Sequence, residues 1–177
     1  MRVAVTGTPG TGKTTATGLL EDRLGGGSVP DLETVHLNDV LETEELYTEV
    51  DAERESKVAD LEALSAWLEG RDDVVIESHL AHHFDADRVV VLRCHPEELE
   101  GRLRDRGEPE PKARENAESE ALDVILAEAA EAHGLESVYE IDTTDREPAA
   151  VADALEAVLA GDRGPSAGDV DFVGYLG

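Results

Sequence analysis

An α/β fold, with a five-stranded parallel sheet between two layers of helices, is what this 177-residue sequence predicts, and three observations carry the prediction. A short β-branched run at the start leads into a glycine-rich loop, GTPGTGKT from Gly7 to Thr14, and then into a helical segment. Short apolar runs alternate with amphipathic segments as far as Leu159, the pattern of strands joined by crossover helices. One run, RVVVLR at Arg88 to Arg93, is apolar through its centre without alternation, as expected of a strand covered on both faces.

Arg2 to Thr6 (RVAVT) reads as the first strand, and the helix after the loop runs from Lys13 to Leu24 and stops at Gly25, Gly26 and Gly27. Thr34 to Leu37 is a second strand, followed by a polar helical stretch over Val40 to Tyr47. A longer helix is predicted over Ala52 to Leu68, because Val58, Leu61, Leu64 and Leu68 recur at helical spacing. Val74 to Glu77 is the third strand and Arg88 to Arg93 the fourth. Pro96 suits the first turn of a helix over Glu97 to Arg106, which Gly107 ends. Pro109 and Pro111 mark a loop, and the helix beyond it presents Leu122, Ile125, Leu126 and Ala129 on one face. Val138 to Ile141 is the fifth strand, and Pro148 starts a last helix with Val151, Ala154, Leu155, Val158 and Leu159 on its buried side. These elements make one domain over 1–160. From Gly161 the composition turns to Gly, Asp and Ser, which predicts a flexible tail over 161–177.

Acidic residues number 42 against 15 basic ones, giving a net charge of −27, yet 40% of residues are hydrophobic, so disorder does not explain the charge. Scarce lysine and few aromatics, with acids on the polar helix faces, suit work in very high salt, where the Debye length falls to about 3 Å. No face is basic, which argues against a broad grip on nucleic acid. No apolar run approaches the roughly 20 residues needed to cross a bilayer. The lone Cys94 forms no intrachain disulfide, and a cytoplasmic monomer without membrane contact is expected.

The opening motif has a mechanism. Gly7, Gly10 and Gly12 permit backbone conformations that turn amide N–H groups toward a polyphosphate, and the helix beginning at Lys13 adds its positive end. Lys13 supplies a charge to the β- and γ-phosphates, and the Thr14 hydroxyl is a ligand for Mg²⁺. A guanine-reading N-K-x-D is absent, which disfavours a switch GTPase. Five basic residues, Arg102, Arg104, Arg106, Lys112 and Arg114, crowd one short stretch. They read either as salt-bridge partners on acidic helices or as a lid over the phosphates, with Arg106 beside Gly107 the first choice for a phosphate contact. Glu77 and His79 stand just past a central strand, where open parallel sheets place their ligands. Glu77 suits Mg²⁺ through water, and His79 could orient the attacking group or accept its proton. His79, His82 and His83 resemble a metal cluster in spacing, but no second set of Cys or carboxylate ligands accompanies them, so His82 and His83 are read as surface residues.

GTPGTGKTT, the LNDV and LY segments at Leu37 to Val40 and Leu46 to Tyr47, VIESH and RLRDRG occur in the order that resembles the adenylate kinase isoenzyme 6 family, over Met1 to about Leu159. The resemblance implies a P-loop nucleoside monophosphate kinase-like three-layer fold, with a monophosphate-binding segment at about 29–54 and a short lid at about 105–115. It implies ATP held by Gly10, Thr11, Gly12, Lys13, Thr14 and Thr15 with Arg106 from the lid, and Mg²⁺ organised by Thr14 and Glu77. AMP or another monophosphate would meet Asn38, Asp39 and Arg54. The family is also associated with small ribosomal subunit maturation, so a ribosome-assembly ATPase that binds a small-subunit ribosomal protein in a pre-ribosomal particle is the alternative. Two departures stand out: the family pattern has Asp where Glu77 stands and an aromatic where Glu108 stands.

Overall fold

The computed structural model describes residues 1–27, 29–51 and 56–177. In chain order the strands are β1 (Arg2–Thr6), β2 (Glu33–His36), β3 (Tyr47–Asp51), β4 (Ser56–Ala59), β5 (Val74–Glu77), β6 (Arg88–Arg93) and β7 (Val138–Asp142). The helices are α1 (Lys13–Glu21), α2 (Leu37–Thr43), α3 (Leu61–Leu68), α4 (Pro96–Asp105), α5 (Glu110–Ala121), α6 (Val124–His133) and α7 (Pro148–Ala160). Five strands form a parallel sheet in the order β2-β5-β1-β6-β7, and β3 pairs with β4 in a separate antiparallel hairpin.

The sheet is parallel because each strand feeds a crossover, and both of its faces are covered. Along β6 successive residues point to opposite sides. Val90 and Leu92 pack with Leu20 of α1 and Leu155 and Val158 of α7. Val89 and Val91 pack with Leu64 and Leu68 of α3 and Leu126 of α6. Burying both sides removes any alternation, which is why the run looked uniformly apolar. A smaller cluster of Cys94, Leu99, Leu103 and Ala113 joins α4 and α5 to the end of β6. No helix of the described residues is long and apolar enough to cross a membrane.

Four expectations are corrected. The helix expected over Ala52 to Leu68 is α3 alone, starting at Leu61. Asp60 caps it by accepting the Ala63 N–H at 3.0 Å, and Val58, which shared the helical spacing, lies in β4 opposite Glu49. The helical stretch expected to reach Tyr47 ends at Thr43, after which Glu45 takes a left-handed φ of 53° and the chain turns into β3. The helix expected beyond a Pro109–Pro111 loop begins at Glu110, with Pro111 in its first turn, and is two helices, broken where Asp123 adopts φ 55° and pairs with Arg93, so Leu122 points to solvent. Finally, the segment from Gly161 has partners throughout. Arg163 donates to the Glu140 carbonyl at 2.8 Å, the Ser166 N–H to the Val138 carbonyl at 3.0 Å, and the Tyr175 hydroxyl to Glu100 at 3.1 Å. Glycine and serine there let the backbone itself bond along β7, a role composition does not reveal.

At the end of β6 the fully buried Arg93 guanidinium meets Glu120 of α5, Glu140 of β7 and Asp123 at the α5–α6 break. Burial opposes its charge, but the three carboxylates outweigh that and hold it firmly protonated. Glu120 and Glu140 are themselves buried, so removing the cation strands two anions without water. Arg93→Met is therefore expected to lower stability by about 3–5 kcal/mol, measured by urea denaturation.

Candidate functional site

β1 delivers the chain to Gly7 at the carboxyl edge of the sheet, with β5 and β6 on either side. Gly7 sits at φ 144°, and a Cβ there would lie 2.5 Å from the Leu92 carbonyl oxygen, so no side chain fits. Gly12, at φ 90°, precedes α1 and offers no side-chain cap. Space around it is open, since a Cβ built there meets nothing within 4 Å. The first amide groups of α1 thus receive no side-chain acceptor from the cap position, and Thr14 and Thr15 are exposed in the first turn. A loop of this shape is an anion site.

The Lys13 ammonium is buried and donates to the carbonyls of Gly7 at 2.8 Å and Thr8 at 3.1 Å. Burial lowers its pKa to about 8, against the pull of Glu77 and Glu120, and the nearby charge of Arg106 pushes the same way. Arg106 therefore lies within electrostatic reach of the loop. It is exposed at the end of α4, and no carboxylate among the described residues pairs with it. Its neighbours are spent elsewhere. Arg104 pairs with Glu100 and Glu110, Lys112 with Glu108 and Arg114 with Glu118, the salt-bridge alternative. Arg102 pairs with Glu98 and donates to the carbonyls of Thr143 at 3.0 Å and Gly10 at 3.4 Å, buttressing the loop from outside.

Glu77, nearly inaccessible at the end of β5, takes a bond from the Thr14 hydroxyl at 3.3 Å on one oxygen and faces His36 Nδ1 at 2.7 Å on the other. A hydroxyl and a carboxylate oxygen side by side are hard donors suited to Mg²⁺ and its waters, so the residues present fit that ion. When bound, the ion would neutralise charge between the phosphates. Beyond Glu77, Ser78 donates to Asn38 Oδ1 at 3.2 Å and ties α2 to the sheet. His79 is held neutral, its pKa lowered to about 4 by burial first and then by the Lys13 charge. It forms part of the wall of a cavity of about 500 Å³ bounded by Asn38, Asp39 and Glu42 of α2, by Lys57 of β4 and by Leu61. Asn38 and Asp39 are thus brought together beside His79, while Arg54 lies outside the described residues.

His83 is exposed as expected, but His82 is not. His82 is buried, not on the surface, with Nδ1 2.8 Å from the Thr6 hydroxyl and Nε2 2.8 Å from Glu128. Both ring nitrogens are thus occupied, and the ring is a strut between β1 and α6. His79 points to the cavity instead, so the three do not act together. His36 was missed, although it ends β2 directly opposite Glu77 in the ladder, and the rule that marked Glu77 applies equally to it. Glu120 was missed as well. Its Oε2 receives the Thr8 hydroxyl at 2.6 Å, across a separation that no motif spans.

A family model described as an AAA domain matches residues 3–123. A protein named "Putative adenylate kinase" from Natronomonas pharaonis is 60% identical over 176 residues, covering 99% of this chain and 100% of its own. Another of that name from Halobacterium salinarum is 59% identical over 177 residues, with 99% and 100% covered. Among solved structures, shikimate kinase from Acinetobacter baumannii in complex with shikimate superposes with a TM-score of 0.63 at 17% identity, covering 92% of this chain and 94% of that one. At that identity the likeness shows the fold alone, a P-loop kinase-like three-layer α/β fold.

A bound phosphate favours the charged form of Lys13, so the pKa of about 8 in the free protein rises on binding. Polyphosphate affinity is expected to hold on the acid side and weaken as pH rises through that value, with proton uptake on binding. Calorimetry near pH ~8.5 in two buffers of different ionisation enthalpy reads the uptake directly.

Proposed function

Since the chain belongs to the family described as AAA domains and is 59–60% identical to proteins named "Putative adenylate kinase", we propose that it transfers the γ-phosphate of ATP, as its Mg²⁺ complex, to AMP or another nucleoside monophosphate. An oxygen of the acceptor phosphate attacks the γ-phosphorus, the bond to the β-phosphate oxygen breaks, and ADP leaves with that bond's electrons. The observation that carries this reading is the adjacency of two spaces at one edge of the sheet. Glu77 takes the Thr14 hydroxyl of the anion loop at 3.3 Å, and two residues further on His79 lines the cavity with Asn38 and Asp39.

In this proposal the amides of Gly10, Thr11, Gly12 and Lys13, with Thr14 and Thr15, hold the donor phosphates. Lys13 and Arg106 meet the charge that develops on the transferring group. Thr14 and Glu77 organise Mg²⁺, and His36 fixes the Glu77 carboxylate. Asn38, Asp39 and Arg54 contact the acceptor from the segment 29–54, and the segment at about 105–115 closes as the lid. An acceptor phosphate is already ionised, so no strong base is required. A neutral His79 with a pKa near 4 suits a hydrogen-bonding role better than proton abstraction.

Purified protein with Mg²⁺ and ATP, with and without AMP, tests this. Two ADP per turnover without free phosphate is expected. Free phosphate that appears without AMP and rises with a basic small-subunit ribosomal protein would instead favour the assembly ATPase, which draws support from the net charge of −27. Lys13→Ala is expected to reduce turnover by at least about a hundredfold, measured as ADP formed under saturating ATP.

A further inference from the structure

Glu120 is a buried carboxylate that the chemistry above leaves unused, and its two oxygens face different tasks. Oε1 accepts from Arg93 Nε at 2.8 Å and from the Cys94 N–H at 3.1 Å. Oε2 accepts the Thr8 hydroxyl at 2.6 Å. Thr8 is itself almost fully buried and is the second residue of the phosphate loop. Its carbonyl oxygen takes the Lys13 ammonium at 3.1 Å and the Thr11 hydroxyl at 2.9 Å, so the placement of this one residue sets where the ammonium rests and how the loop curves. We propose that Glu120 is a positioning residue for the phosphate loop, acting through the Thr8 hydroxyl to hold the loop in its anion-binding shape.

Neutralising Arg93 would require only the first oxygen. The second is spent on a hydroxyl that no other carboxylate reaches among the described residues, and a charged acceptor makes that bond stronger than a neutral one. Chain order adds a mechanical link. α5 begins just past the turn that carries Arg106 and ends one residue after Glu120, so one helix joins the base of the lid to the anchor of the loop. This inference rests on the nucleotide reading above, and direct binding separates the two.

ATP binding is measured by calorimetry on wild type, Thr8→Val, Thr8→Ser and Glu120→Gln, with thermal melting in parallel. Thr8→Val keeps the shape, removes the donor and leaves the pairing of Arg93 with Glu120 intact. It is expected to weaken ATP binding about tenfold and to melt somewhat earlier while remaining folded at the assay temperature, because Glu120 Oε2 loses its donor, while Thr8→Ser binds within about twofold of wild type. Glu120→Gln, which offers the Thr8 hydroxyl a neutral and weaker acceptor, is expected to weaken ATP binding by less than Thr8→Val does. If Glu120→Gln does not fold, the two Thr8 variants decide alone. ATP binding by Thr8→Val equal to wild type, or weakening that Thr8→Ser does not restore, overturns the inference. Failure of wild type to bind ATP would overturn the nucleotide reading instead.

Discussion

A guanidinium almost sealed from water at the end of β6 imposes its requirements on everything around it. Taking such a charge out of solvent costs several kcal/mol even after relaxation, and only close, well-aligned anions repay that. Arg93 obtains them from three separate places in the chain, and each brings a different part of the molecule to the same point. Glu120 fixes the last turn of α5 and reaches the phosphate loop. Asp123 sets the break before α6. Glu140 takes the backbone N–H groups of Asp169 at 2.8 Å and Val170 at 3.3 Å, and so draws the final segment against β7. Phe172 then covers the guanidinium, its ring 5.4 Å from the cation. The floor of the site, the edge of the sheet and the end of the chain are therefore one electrostatic unit.

Cations are rare in this protein, and their distribution follows the chemistry. Lys13 rests on loop carbonyls, Arg102 braces Gly10 from outside, and Arg106 projects without a carboxylate partner among the described residues. The carboxylates closest to the loop, Glu77 and Glu120, each have defined partners that keep their oxygens occupied. Burial keeps His79 neutral beside that site, so it adds no further charge to the balance.

What the sequence revealed and what it hid have physical explanations. Strands β1, β5 and β6 were legible to the residue because two covered faces leave a continuous apolar run, and the loop was legible because glycine and lysine spacing there answers to phosphate geometry. Arg93 looked like an ordinary polar strand end, because its carboxylate partners stand 27, 30 and 47 residues away and no local pattern encodes them. The hairpin was misread because Val58 stands three residues before Leu61, a spacing that strand and helix share by accident, while Asp60 carried the true signal of a helix start. His82 was misjudged for a related reason: its partners Thr6 and Glu128 come from distant elements.

The β3–β4 hairpin is a sheet of its own, and its strands share no ladder with the five that carry the loop. Side chains that border the cavity from that direction can therefore be exchanged without disturbing the register of the central strands or the curvature of the loop. The cavity therefore has one wall that is free to vary, at Lys57 and Val58, and one that is not, at Asn38, which Ser78 ties to the end of β5.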